Sequence, residues 1–127
     1  MKKEVISAKN APEALGPYSQ AIKCGSMLFL SGQTPVNPAD GVLVTGDIKA
    51  ATAQCFENIK SVLSAAGANL ENVVKMTVFL KNFDDFKDMN EVYKSYFSAD
   101  FPARSCIQAA KLPLDCMVEI EAIAMVD

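Results

Sequence analysis

The stretch Val73 to Leu80 is apolar on both of its alternating faces, Val74-Met76-Val78-Leu80 on one and Val73-Phe79 on the other. A strand of that kind belongs in the middle of a sheet and needs a cover above and below. The clearest helix in the chain comes just before it. Ile48, Ala51, Cys55, Ile59, Val62, Leu63 and Ala66 recur at steps of three and four, which makes one face apolar. Thr45 or Asp47 can cap its start, and Gly67 suits a left-handed stop. A second helix is expected from about Asp84 to Phe97, with Phe86, Met89, Val92, Tyr93 and Tyr96 on its buried side. Residues 2–7, Ser19–Cys24, Met27–Ser31, Ala103–Ala109 and Met117–Met125 read as further strands, the second and third joined at Gly25-Ser26. Asn10 to Tyr18 and Asn37 to Gly41 are loops punctuated by proline and glycine.

The order strands, helix, strand, helix, strands predicts an α+β sandwich spanning residues 1–127 as one domain, with two helices on one face of a mixed sheet. Two helices cover one face only. Several strands are apolar on both faces, so the other face predicts self-association.

Charge and composition narrow the functions open to such a domain. Net charge is −3, and no segment interleaves lysines with aromatics, which disfavours binding to nucleic acid. No apolar run approaches the length of a membrane span, and Met1 to Ile6 lacks the apolar stretch of a signal peptide. Cys24, Cys55, Cys106 and Cys116 are scattered without a Cys-x-x-Cys pair, which predicts reduced thiols in a cytoplasmic protein and no zinc site.

The chain has no histidine and one arginine, Arg104. The commonest general base and metal ligand are therefore missing. A planar, permanently charged fork suits a carboxylate or phosphate held by two parallel hydrogen bonds, although a surface salt bridge would serve the same residue. Strand alternation puts Arg104 and Cys106 on one face of their strand and Glu119 and Glu121 on one face of theirs. The glutamates are either the solvent side of the last strand or a source of acid–base chemistry. Cys106 is either a thiol activated by Arg104 or a small buried hydrophobe. Ser31 and Gly32 can line a pocket or end a strand, and Tyr18 can donate to a ligand or cap the core.

Five short segments are more specific together than apart. They are Gly16-Pro17-Tyr18-Ser19-Gln20, Ser31-Gly32-Gln33-Thr34-Pro35, Val78-Phe79-Leu80 leading to Met89-Asn90, Pro102-Ala103-Arg104-Ser105-Cys106, and Val118 to Ala124. In this order and spacing they resemble the RidA (YjgF) family of reactive-intermediate deaminases across nearly the whole chain. The resemblance implies a chorismate-mutase-like fold, a homotrimer with a central barrel, and sites in the clefts between subunits. It implies no metal and no organic cofactor. The implied reaction is hydrolysis of 2-imino acids or their enamine tautomers to 2-keto acids and ammonia. Carried over residue by residue, Arg104 would bind the substrate carboxylate and Glu119 would handle water. Tyr18, Ser31, Gly32, Asn90 and Cys106 would line the substrate pocket. A trimer without turnover that senses keto acids or binds a regulatory partner is the rival expectation for the same site.

Overall fold

A computed structural model describes residues 2–127. Six strands form one mixed sheet: β1 (Lys3–Ile6), β2 (Ala21–Cys24), β3 (Met27–Gln33), β4 (Val73–Leu80), β5 (Ala103–Gln108) and β6 (Val118–Met125). Their order across the sheet is β1-β2-β3-β6-β4-β5. Only β4 and β5 run parallel. Parallel neighbours need a crossover, and α2 (Phe86–Ser95) lies in the chain between them. α1 (Ile48–Ala65) packs against β3, β6 and α2. This is the expected α+β arrangement, two helices on one face of a mixed six-stranded sheet.

Local chemistry accounts for the element ends. Asp47 is the residue that caps α1, its Oδ1 accepting from the backbone N–H of Lys49 and Ala50. Gly67 follows α1 at a φ of 73°, where a side chain would be strained. α2 starts two residues later than its periodicity suggests. Asn82 caps a short 3-10 turn, Phe83–Asp85, which takes up the expected first residues. The fully buried side chains Phe56, Leu28, Ile59, Leu63, Met76, Leu80, Met89 and Ile120 form the core between helices and sheet.

Alternation fails at one point. Val74 is exposed, whereas Val73 is buried with Met76, Val78 and Leu80. The register with β6 shifts between Val73 and Lys75, and this irregularity turns Val73 inward.

Among the described residues, nothing covers the face away from the helices. The register aligns Val5, Ile22, Phe29 and Ile123 in one row across it, with Cys24, Met27 and Met125 in the next. Phe29 is 45% exposed and Ile107, on β5, is 49% exposed. A contiguous apolar sheet face of this kind is the mark of an interaction surface. Among the described residues, no helix is long and apolar enough to cross a membrane.

Candidate functional site

The candidate side chains fall into two groups on opposite faces of the sheet. Arg104 pairs with Met76 of β4, and Cys106 pairs with Val78. Met76 and Val78 point into the core beneath the helices, so Arg104 and Cys106 share the helix-covered face. Glu119 pairs with Phe79 and Glu121 with Thr77, which are on the uncovered face. The strand neighbours of the glutamates, Val118, Ile120 and Ala122, are the buried ones. Alternation in the sequence shows which residues share a face within each strand. It does not show that the faces bearing Arg104 and Glu119 are opposite, because that depends on register with β4.

The first group is built on the β4-α2-β5 crossover. The Arg104 guanidinium lies 4.6 Å from the Tyr93 ring centre and 5.5 Å from that of Phe86. Its Nη1 donates to Oδ1 of Asn90 at 2.6 Å. Among the described residues, the three ion pairs all involve lysines, so no carboxylate neutralises Arg104. Asn90, Tyr93, Lys94, Phe101, Pro102 and Arg104 line a cavity of about 420 Å³. Burial pushes the Cys106 thiol up, and the nearby Arg104 charge only partly offsets it. Of the two readings of Cys106, the structure therefore favours the small hydrophobe packed against the core.

The second group surrounds the irregular end of β3. There the register against β6 skips between Leu30 and Gln33, leaving Ser31 and Gly32 outside regular pairing. The bulge brings Gly32 against Glu119: a Cβ on residue 32 would lie 2.7 Å from Glu119 Oε2. Burial, and then the charge of Glu121, raise the Glu119 carboxyl above the usual carboxylate range. Tyr18, Ser31, Gly32 and Glu119 share a cavity of about 780 Å³ with residues of the loops 9–15 and 34–41. Ser31 Oγ donates to the Ser19 carbonyl at 2.6 Å, so its proton is engaged and its lone pairs are what it can offer a ligand.

Two supports of this cavity, Gln20 and Asn58, were not among the candidate site residues read from the sequence. Gln20 is buried, its Nε2 donating to the carbonyls of Pro12 and Ala8 and its Oε1 accepting from the N–H of Ala8. Asn58 on α1 is buried too, and its Nδ2 donates to the carbonyls of Thr34 and Val36 at 3.1 and 2.9 Å. Each amide ties a loop to the scaffold. A polar residue on an apolar helix face, as at Asn58, is the one hint available beforehand.

A more spacious depression, about 970 Å³, lies between the C-terminal ends of the two helices and holds none of these residues. The convergence of charged and polar groups, rather than volume, marks the candidate site. Among the described residues, no three His, Cys, Asp or Glu side chains gather closely enough to hold a metal ion.

Comparison with known proteins agrees with this fold. The profile of a family described as Endoribonuclease L-PSP matches residues 8–126. A RutC family protein of Pyrococcus horikoshii is 54% identical over 122 residues, 96% of this chain and 97% of that one. The 2-iminobutanoate/2-iminopropanoate deaminase of Escherichia coli K12 is 45% identical over 125 residues, again 96% and 97% of the two chains. The crystal structure of Escherichia coli TdcF with bound serine superposes with a TM-score of 0.93 at 43% identity, covering 98% of this chain and 99% of that one.

Proposed function

From a chain that belongs to the RidA (YjgF) deaminase family, matched by the L-PSP profile, we propose a 2-iminobutanoate/2-iminopropanoate deaminase whose sites are shared between copies of the chain. The observation that carries this reading is the separation of the half-sites: Arg104 on the helix-covered face and Glu119 on the uncovered one. One copy cannot bring both to one small substrate. A neighbour seated on the uncovered apolar face can bring its own Arg104 cavity to the Glu119 cavity. A closed ring of three copies would bury that face in a central barrel and create three such clefts.

In such a cleft the chemistry is undemanding. A protonated imine is already an electrophile, so no covalent nucleophile is required. Arg104 of one copy holds the substrate carboxylate, which fixes C2 opposite Glu119 of its neighbour. Glu119 takes a proton from water as the oxygen bonds to C2, forming a carbinolamine. It then returns a proton to the amine nitrogen, which leaves as ammonia while the carbinolamine hydroxyl passes its proton to the freed Glu119 carboxylate and the carbonyl of the 2-keto acid forms. A carboxyl raised above its usual range is better matched to both transfers than an ordinary one. Ser31, its proton engaged by Ser19, accepts from the iminium N–H, and Tyr18 orients the same end of the substrate. The serine bound to TdcF has the same sequence of carboxylate, C2 and nitrogen. RNA cleavage, the activity in the family description, is a poorer fit to a chain of net charge −3 with no histidine.

Mixing inactive variants tests the reading. Arg104→Ala and Glu119→Gln should each lose ammonia release from 2-iminobutanoate generated in situ. When the two are unfolded and refolded together in equal amounts, about a quarter of the sites pair an intact arginine with an intact glutamate, in a ring of any size. Activity should return to about that fraction. No recovery from correctly assembled mixtures would put both residues in one copy's site or remove one from catalysis. Binding of 2-oxobutanoate by wild type without any turnover would favour the keto-acid sensor.

A further inference from the structure

We propose that Tyr93 is a positioning residue that sets the plane of the Arg104 guanidinium, and that Asn90 completes the cradle, leaving the Nε and Nη2 edge to take a substrate carboxylate side-on. The inference deepens the deaminase reading and rests on it for the identity of the substrate.

Phe86, Asn90 and Tyr93 are four and three residues apart on α2, so they occupy one face of the helix. The crossover sets that face over β5, and each of the three reaches Arg104. A cation within about 6 Å of an aromatic centre is attracted to the ring face. At 4.6 Å, Tyr93 is the nearer of the two platforms.

The platform is itself held. Tyr93 is 4% exposed. Phe56 meets it edge-on at 5.5 Å, and Phe97 is 5.2 Å away at a tilt. An aromatic fixed on those sides cannot follow the guanidinium if it swings, so the guanidinium settles on the ring. The Tyr93 hydroxyl is buried and has no hydrogen-bond partner among the described residues. What the position supplies to Arg104 is therefore the ring.

Asn90 settles the remaining freedom. Nη1 is the guanidinium nitrogen on the side away from the Nε–H, so a bond from Nη1 to Asn90 leaves the Nε–H and the neighbouring Nη2–H free as a parallel pair. An amide oxygen orients the fork without cancelling its charge. A carboxylate at the same place would pair with it and compete with the substrate.

Three variants in the intact assembly test this. The readouts are the Kd of 2-oxobutanoate by calorimetry, KM and kcat for 2-iminobutanoate, and Tm with gel filtration as checks of folding. Tyr93→Leu should raise Kd and KM about three- to thirtyfold, the range of a desolvated cation–π contact, with kcat changed much less. Tyr93→Phe should restore Kd to within about threefold of wild type, since the ring remains. Asn90→Asp, nearly isosteric and on a half-buried position, should weaken keto-acid binding more than Tyr93→Leu while Tm is held or raised. If Tyr93→Leu is too unstable to measure, Asn90→Asp still decides. Wild-type binding by folded Asn90→Asp, or a Phe variant as defective as Leu, would overturn the cradle.

A crystal structure with 2-oxobutanoate should show carboxylate oxygens on Nε and Nη2, and an end-on pair through Nη1 would overturn the side-on geometry. Failure of the deaminase reading looks different. In that case wild type binds 2-oxobutanoate and loses it in Tyr93→Leu, yet releases no ammonia. A wild type that binds no keto acid up to about 10 mM would overturn both.

Discussion

Gly32 leaves the space that the Glu119 carboxylate occupies. A Cβ added at residue 32 would meet Oε2 at 2.7 Å and Cδ at 2.8 Å. The atoms in the way are the far end of a flexible side chain, and Gly32 has no left-handed backbone that alanine would strain. Gly32→Ala should fold almost as stably as wild type, with Tm lowered by a few degrees at most. Deaminase activity should fall about tenfold or more, because the displaced carboxylate no longer faces the water it must position. Thermal melts beside ammonia release decide it, and full activity would show that Glu119 tolerates the move.

Removing Arg104 should be severe. Arg104→Ala is expected to lose about 2–5 kcal/mol of transition-state binding, the scale of a broken desolvated charge pair. At about 1.36 kcal/mol per decade this is roughly 30- to 4000-fold in kcat/KM. Arg104→Lys should recover only part of that, because an ammonium has neither the parallel pair of donors nor the flat, delocalised cation that lies over the Tyr93 ring. Steady-state kinetics on the three proteins gives the comparison, and equal rates for Lys and Arg would dismiss two-point binding.

Glu119 and Glu121 lie on the same face but should not be equivalent. Glu119 lines the cavity with Tyr18 and Ser31, whereas Glu121 does not. Glu119→Gln should reduce kcat more than it weakens keto-acid binding, and Glu121→Gln should do much less to either. Equal losses of kcat would remove the distinction.

A stability effect follows from the raised Glu119 carboxyl. Its proton is held more tightly in the folded chain than in the unfolded one, so its favourable contribution is present below the usual carboxylate range. That contribution is lost as pH rises through the folded value. Wild type minus Glu119→Gln, measured by urea unfolding, should show stability declining with pH across that window and level above it. A difference that rises with pH would mean that the assembled carboxylate is stabilised in its charged form.

Asn58 should matter to the shape of the site more than to its chemistry. Asn58→Leu removes two donors and leaves the carbonyls of Thr34 and Val36 without them. An orphaned buried polar group costs about 1–3 kcal/mol. Lower stability and faster amide exchange in residues 34–44 are expected, with kcat/KM reduced through KM. Unchanged exchange in that loop would show that other bonds, such as the one from the Val44 N–H to the Pro35 carbonyl, hold it alone.

The linear chain determined much of this protein by itself. The periodicity of α1 and the alternation in β6 are local patterns, and each appears in the structure with ends shifted by a residue or two, whereas β4 keeps its expected range but buries Val73 in place of Val74. The lone Arg104 and the missing histidines are likewise plain in the sequence and remove imidazole from any chemistry, which points to carboxylates, hydroxyls, backbone groups and water. Tertiary structure decided what local patterns cannot hold. Register against β4 put Arg104 and Glu119 on opposite faces, and the break in β3 pairing brought Gly32 to Glu119. The β4-α2-β5 crossover laid Tyr93 over Arg104, and Asn58 and Gln20 found their acceptors in distant loops. These relationships join residues far apart in the chain. Period and propensity report only on neighbours, so the pairing of strands and the packing of helices had to supply them.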